Sequence, residues 1–488
     1  MADVTVTPTR NRPRLRTLES GGGERHASWL ELFFDLVFVF AVAQVAHILN
    51  DHTDVDGFVR YIALFLPVWW WWVGFTFYAD RFESEEVSYR VLTFAGMLAI
   101  TGVAVTLGQA FTPAGDAAFV GCYVVLRLVL IALYLRAAYY IPLARSFAMQ
   151  YPIGLGASVV MFLISLRFDA PARYVIWAAA FVVELMTPIL NLRAARSLPI
   201  DRSHIPERFG LFTIIVLGEA VTATAMGLAG VQWSALTIAT GALGFAMAAV
   251  IWWINFEFVE DSALISASLG QRFSHIYGHF FVVAGIVVTG VGVEHAIKQA
   301  GEAHLHLSTL VLLAGGSASY FATITVVRLI TGVCKLIYPR ALAIAGLLSL
   351  VWLGQYLSPL ATVAATLLLL SAELLIESIL SHDEENAAAD APHLVPCEHA
   401  VEILTYQARS GDGCEECRKN NYKWVHLRLC LTCGHVGCCD SSIYKHATKH
   451  HRTTGHHIVA SLEQGESWAW CYTDERFVPL DEPVQATV

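Results

Sequence analysis

Twelve runs of mostly apolar residues, each long enough to cross about 30 Å of hydrocarbon as a helix, dominate this chain of 488 residues. They lie near 30–49, 58–79, 91–112, 118–140, 152–168, 173–192, 209–229, 233–256, 276–297, 308–330, 339–356 and 359–380. Lipid offers the backbone no hydrogen bonds, so each run is expected to satisfy its own amides as a helix. With 56% hydrophobic and 15% charged residues, the chain as a whole does not read as a soluble protein. The fold class expected is an all-α polytopic membrane body in the lipid bilayer, followed by a small α+β module.

Charge marks where that module begins. From His382 onward 25 of 107 residues are Asp, Glu, Lys or Arg, against 47 of the 381 before it, and eight of the ten cysteines lie there too. This split excludes a secreted protein and a nucleic-acid-coating one, and the module's net acidity argues against nucleic acid as a partner. The expected organisation is a disordered cytoplasmic lead at 1–28, a body at 29–381, a charged Ala-rich spacer at 382–394, the module at 395–478 and a tail at 479–488. Placing the N-terminus in the cytoplasm puts sixteen Lys/Arg near cytoplasmic helix ends and four near the others. That bias places both termini in the cytoplasm of a cell whose plasma or inner membrane holds the body.

The body carries hints of duplication. Trp71-Trp72 through Asp80 matches Trp252-Trp253 through Asp261, Thr101-Gly102-Val103 matches Thr289-Gly290-Val291, and Arg127 and Arg328 interrupt corresponding runs. Two tandem six-helix halves, about 29–200 and 205–381, are expected, an arrangement found among transporters. A charge inside a membrane helix costs about 2.5–3.5 kcal/mol on insertion scales, so such residues should face the interior. The candidates for a polar pathway are Glu31 and Asp35 on one face of the first helix, with Glu219, Asn255 and Glu257. Arg127 and Arg328 are candidate counter-charges, Glu31 is placed at the membrane interface, and Glu373 and Glu377 read as snorkelling side chains. The tryptophan runs read as interfacial belts.

The blocks WLELFFDLVFVF, from Trp29 to Phe40, and ERFGLFTIIVLGE, from Glu207 to Glu219, resemble the bacterial low temperature requirement A (LtrA) family over about residues 25–381. The resemblance implies a multi-pass membrane protein and supplies no substrate.

In the module the order is Cys397-x-His399, Cys414-x-x-Cys417, Cys430-x-x-Cys433, Cys438-Cys439, His446-x-x-x-His450, His456 and Cys471-x-x-Asp474. C-x-x-C turns aim two thiolates at one ion, and histidines four apart share a helix face, as tetrahedral zinc requires. Cytoplasmic thiols so clustered read as metal ligands rather than disulfides. The order resembles the ubiquitin-specific-protease-type zinc finger. The resemblance implies one zinc on Cys414, Cys417, His446 and either Cys438 or Cys439. It implies a second on Cys430, Cys433, His450 and His456. A third site would use Cys397, His399, Cys471 and Asp474, the last standing where the family usually has cysteine. His426, His435, His451 and His457 read as neighbours of ligands. The family's grip on a protein C-terminus points to Trp470 and Tyr472. Its Arg-Tyr step is replaced by Asp440-Ser441-Ser442, which argues against the ubiquitin tail.

Closed metal sites, with no nucleophile triad or phosphate loop, lead us to expect no enzymatic activity. The function expected is a transporter-like body with a zinc module for partner binding or regulation. The competing expectation is a membrane anchor whose zinc finger does the work.

Overall fold

The computed structural model describes residues 13–15, 27–83, 86–112, 115–191, 204–258, 269–331, 337–389, 397, 399, 403, 408, 413–463, 468–474 and 476–478. It divides into two compact units, Met1–Ser378 and Ile379–Val488. Among the described residues of the chain, twelve helices are long and apolar enough to cross a membrane. They are α1 (Trp29–Asp51), α2 (Val55–Arg81), α3 (Val87–Leu107), α4 (Asp116–Tyr140), α5 (Arg145–Ser165) and α6 (Ala172–Leu190). There follow α7 (His204–Ala229), α8 (Ala235–Phe258), α9 (Leu269–Lys298), α10, α11 (Ile337–Leu353) and α12 (Pro359–Ala389). Helix α10 starts at Leu307–Leu310, passes through a π turn at Val311–Gly315 and continues as Gly316–Thr331.

Local chemistry sets the first helix start. Ser28 Oγ accepts from the Glu31 amide and Glu31 Oε2 accepts from the Ser28 amide, a reciprocal cap that satisfies two otherwise orphaned donors. Three boundaries differ from expectation. Helix α5 begins at Arg145 rather than 152, with Pro152 inside it, because Phe147 and Ala148 are buried and Tyr151 stacks on Tyr134 at 4.3 Å. Part of the lead is ordered: β1 (Arg14–Leu15) pairs antiparallel with β2 (Phe82–Glu83) just after α2. Residues 1–12 and 16–26 of that lead fall outside the described residues. Helix α12 runs to Ala389, so most of the expected spacer is helical rather than flexible.

Helix α9 is the pillar of the body, the most buried of the twelve. Its glycines permit backbone-to-backbone approach. A Cβ at Gly292 would lie 2.4 Å from the Leu313 amide nitrogen of α10, and one at Gly290 would lie 2.9 Å from Ala220 Cα of α7. Small residues at such crossings are how membrane helices gain van der Waals contact where lipid supplies no hydrophobic drive.

The tryptophan run of α2 is core, contrary to the interfacial belt expected. Trp69, Trp70, Trp71 and Trp72 are all buried, whereas Trp252 and Trp253 on α8 are half exposed. Indole N–H groups meet acceptors inside: Trp72 donates to Asp35 at 2.8 Å and Trp69 to His279 Nδ1 at 3.1 Å. Glu373 and Glu377 do not snorkel either. Both are buried, Glu373 accepting from Arg340 Nε at 3.0 Å and Glu377 pairing with Arg340 and Arg328. Arg127 meets Glu184, which also accepts from the Tyr123 hydroxyl.

The second unit holds an antiparallel five-stranded sheet in the order β4-β3-β5-β6-β7. Its strands are β3 (Leu427–Cys430), β4 (Val436–Cys438), β5 (Ile458–Ser461), β6 (Ala469–Cys471) and β7 (Arg476–Val478). Two short helices flank it, α13 (Glu415–Lys419) and α14 (His446–Thr454). One sheet face packs a small core of Leu429, Leu431, Val436, Ile458, Ala460 and Val478.

Breaking the Arg127–Glu184 pair by Glu184→Leu alone leaves an uncompensated buried charge and should cost about 3–5 kcal/mol. The double change R127M/E184L should cost much less, a contrast measurable by thermal unfolding of the purified protein in detergent.

Candidate metal centres and a buried charge cluster

The module's ligands come from turns and element ends. Cys414 caps α13 and Cys417 lies within it, Cys438 ends β4, and His446 opens α14. Gly437 is needed beside them, because a Cβ there would lie 2.6 Å from the Ala447 amide nitrogen of α14. His446 Nδ1 sits 3.2 Å from Cys414 Sγ, 3.2 Å from Cys417 Sγ and 3.4 Å from Cys438 Sγ, and the Cys417 and Cys438 sulfurs are 3.9 Å apart. Tetrahedral zinc, with Zn–S of about 2.3 Å and Zn–N of about 2.0–2.1 Å, spaces its ligand atoms about 3.3–3.8 Å apart. The donors fit.

The structure chooses between the adjacent cysteines. Successive strand residues face opposite ways, and it is Cys438 that turns to His446. Cys439, included among the expected ligands, turns instead to Ser442 Oγ at 3.6 Å and stands outside the three ligand groups of the described residues.

The second set also fits. Cys433 Sγ is 3.4 Å from His450 Nε2, Cys430 Sγ is 3.6 Å from His456 Nδ1, and the two imidazole nitrogens are 3.3 Å apart. Gly434 and Gly455, at φ of 75° and 74°, make the turns that bring the second thiol and the second histidine round. In the third set His399 Nδ1 lies 3.8 Å from Cys397 Sγ, 3.6 Å from Cys471 Sγ and 3.3 Å from Asp474 Oδ2. Asp474 therefore stands in the ligand position that its sequence place suggested, 2.9 Å from the Cys397 thiol.

The other histidines surround these sets. His435 contacts Glu416 at 2.8 Å and stacks on His450, while His451 Nδ1 lies 2.9 Å from the His456 carbonyl oxygen. Trp470 packs on Phe477, whereas Tyr472 stacks on His451. Asp440 is taken up by Thr448, whose hydroxyl also lies 3.3 Å from the Tyr472 hydroxyl.

Burial pushes the Cys397 thiol up to about 12 and Cys430 to about 11, and raises Cys414 and Cys417. Burial also lowers His446, which keeps its ring nitrogen free for a metal. Left to themselves these thiols stay protonated, so a metal must displace their protons.

In the body, three of the polar candidates part company. Glu31 and Asp35 meet at a residue that sequence reasoning did not select: Arg208 Nη2 donates to Asp35 Oδ1 at 2.5 Å, and its Nη1 is 3.4 Å from Glu31 Oε1. All three side chains are buried within the protein, Glu31 in the first turn of α1. By its place in the sequence Arg208 reads as one of the sixteen positive charges near cytoplasmic helix ends. The signal that could have found it was Glu31-x-x-x-Asp35, two buried acids on one face that require a base.

His279 lies beside the cluster, accepting from Trp69 at Nδ1 and presenting Nε2 to Thr213 Oγ1 at 3.0 Å. Glu219, eleven residues beyond Arg208 on α7, is about 16 Å further along the axis and only half buried. Its charged surroundings are Glu294 and His47. Asn255 is buried on α8 and Glu257 is exposed, and neither joins Asp35.

A body of twelve membrane helices crossed by buried ion pairs, carrying a Cys/His metal module, is the class that this geometry defines. The chain belongs to the bacterial low temperature requirement A protein (LtrA) family, whose model matches residues 26–374. The zinc finger found in ubiquitin hydrolases and other proteins matches residues 414–483. The uncharacterized protein RA0937 of Rhizobium meliloti (strain 1021) is 28% identical over 296 residues, covering 56% of this chain and 70% of its own. A solution NMR structure of protein RPA1320 from Rhodopseudomonas palustris is 44% identical and covers 19% of this chain and 98% of its own, with a TM-score of 0.16.

Cys438→Ser should lower the zinc content per purified chain, whereas Cys439→Ser should leave it unchanged, as read by elemental analysis. Because zinc displaces thiol protons, retention should be complete at neutral and alkaline pH and fall as the buffer is acidified. Dialysis against a pH series followed by the same analysis checks the sign.

Proposed function

We propose that the membrane body is transporter-like and that the module, loaded with zinc at its three ligand sets, binds a partner or regulates the body from the cytoplasm. The observation that carries the reading is the buried Glu31–Asp35–Arg208 cluster between α1 and α7. These are the first helices of the two expected halves. Ionisable side chains buried inside a membrane body are costly and are read by default as marks of an ion or substrate path.

The duplicated plan supports it. In each half the first helix packs on the second and third, the third on the fourth and the fourth on the fifth. In each expected half an arginine of the fourth helix pairs with a glutamate of the sixth, Arg127 with Glu184 in the first and Arg328 with Glu377 in the second. A parallel repeat of this kind places sites at the junction of the halves.

Cytoplasmic termini follow from the Lys/Arg bias, and a plasma or inner membrane from the bacterial family. The partner we favour for the module is a peptide or a protein C-terminus other than ubiquitin's, since Asp440 would repel a carboxylate near Tyr472. The competing reading is a membrane anchor, favoured by one observation: Arg127, Arg173 and Arg340 are each closed onto a carboxylate of another helix, as a static scaffold would have them.

Reconstituted vesicles decide between the two. The variant D35N/E219Q should lose solute or ion flux that the wild type shows across a substrate panel, and unchanged flux would remove the transport reading.

A further inference from the structure

The Cys397–His399–Cys471–Asp474 set differs from the other two in one ligand and in where its chain comes from. The first set offers three thiolates and an imidazole, the second two of each, and both kinds of donor suit zinc. Asp474 brings a carboxylate oxygen instead, a donor better matched to magnesium, calcium or manganese. The set is also more open than the first. The Asp474 and His399 side chains are 21% and 23% exposed, whereas Cys414, Cys417 and Cys438 are fully buried. Asp474 Oδ2 lies 2.9 Å from Cys397 Sγ, so an oxygen acceptor stands beside that sulfur. A thiol that leaves a metal there donates its S–H to the carboxylate instead of being buried unpaired, which lowers the cost of release.

Half of the set is built by the sheet. Cys471 ends β6, where it pairs with Ile458 of β5, and Asp474 sits in the turn before β7, its amide 3.4 Å from Cys471 Sγ. The Tyr472 amide donates to the His457 carbonyl oxygen at 2.9 Å, so backbone bonds hold this side in place. Cys397 and His399 belong to no strand. They follow the end of α12 at Ala389, on the stretch by which the chain enters the module. Cys397 joins the small apolar core, and Ile403 and Ala408 rest on it further along. What a metal adds is a bond from residues 397 and 399 to the β6–β7 turn.

We propose that this third set is an exchangeable zinc latch: of the three it gives up its metal first, and its occupancy decides whether the segment entering the module is fastened to the β6–β7 turn. The latch rests on the reading that all three sets take zinc, and it specifies the regulation: the supply of zinc sets the hold on the chain between α12 and the sheet. The sheet itself does not depend on it. Strand pairing and the first two sets, which span Cys414 to His456, hold β3, β4, β5 and α14 whether or not the third is filled.

The test equilibrates the full chain, in detergent, with buffers of falling free zinc. Each step is read twice: zinc per chain by elemental analysis, and hydrogen–deuterium exchange of the peptide carrying Cys397 and His399 against peptides of β3 and β5. The wild type should saturate at three zincs and lose one while two remain. Exchange at 397–399 should rise with that first loss, and exchange in β3 and β5 only with the later ones. Losing an outer partner of a ligand costs about 10–100-fold in metal affinity. A change of the ligand itself, Asp474→Cys, should therefore move the first loss to free zinc at least about tenfold lower. Asp474→Ala should leave two zincs and a fast-exchanging 397–399 peptide at every zinc level. If Asp474→Ala does not fold, the wild type and Asp474→Cys still decide. A first loss that Asp474→Cys does not shift, or one without faster exchange at 397–399, would overturn the latch. Three zincs leaving in one step would sink the latch and spare the three-zinc reading, whereas saturation at two zincs would sink both.

Discussion

A charge buried in hydrocarbon must find its opposite, and in this body it finds it on another helix. Arg208 of α7 reaches Asp35 and Glu31 of α1, Arg127 of α4 reaches Glu184 of α6, Arg173 of α6 reaches Asp116 of α4, and Arg340 of α11 reaches Glu373 of α12. Apolar side chains alone cannot choose among helix neighbours in a medium as apolar as they are. A guanidinium with a fixed donor fork can. The pairs therefore specify which helices meet, and glycines on α9 then let those helices approach closely enough for dispersion to hold them.

The module solves a different problem by a similar economy of contacts. Its apolar core is a handful of aliphatic residues on one sheet face, too few for independent stability in a domain of this size. The three ligand sets lie where chain segments distant in sequence converge: Cys414 with His446, Cys430 with His456, and Cys397 with Cys471. A metal at each junction would tie together what the core cannot, so folding and metal binding become one equilibrium. His435, hydrogen-bonded to Glu416 and stacked on His450, shows the surrounding layer that holds ligand rings in orientation.

Much of this was legible in the chain. Length and apolarity alone reveal twelve crossings, and C-x-x-C pairs followed by spaced histidines reveal metal ligands, because both signals are local. What escaped is long-range. Arg208 sits four residues after His204, the first residue of α7, where a positive charge ordinarily meets water and headgroups, so only its approach to a helix 173 residues away exposes it as a core residue. The α2 tryptophans have the composition of a belt, yet Asp35 and His279 wait inside to accept from their N–H groups. Cys438 and Cys439 differ only in which way a strand points them, and the register is fixed by β3 pairing across to Val436 and Cys438. Asp35 and Glu219 lie in the two blocks that resemble the family without sharing a site, since Asp35 meets Arg208 and Glu219 stands eleven residues further along α7.

That separation bears on how the body could work. Helix α1 carries Asp35 near one end and, twelve and fifteen residues on, His47 and Asn50 toward the other. Asn50 donates to Glu294 of α9 at 3.1 Å, and its carbonyl oxygen lies 3.1 Å from His295 Nε2. Glu219 of α7 feels the field of the same Glu294 and of His47. The packing of α1 against α7 and α9 thus holds two polar clusters at different heights along α1, one with Arg208 and one with Lys298, which pairs with Glu294 at 2.7 Å. Between them α1, α2, α7 and α9 present Phe38, Val42, Phe65, Phe212, Val216 and Val283, all buried. Apolar packing therefore separates the two clusters, so each must satisfy its charges locally.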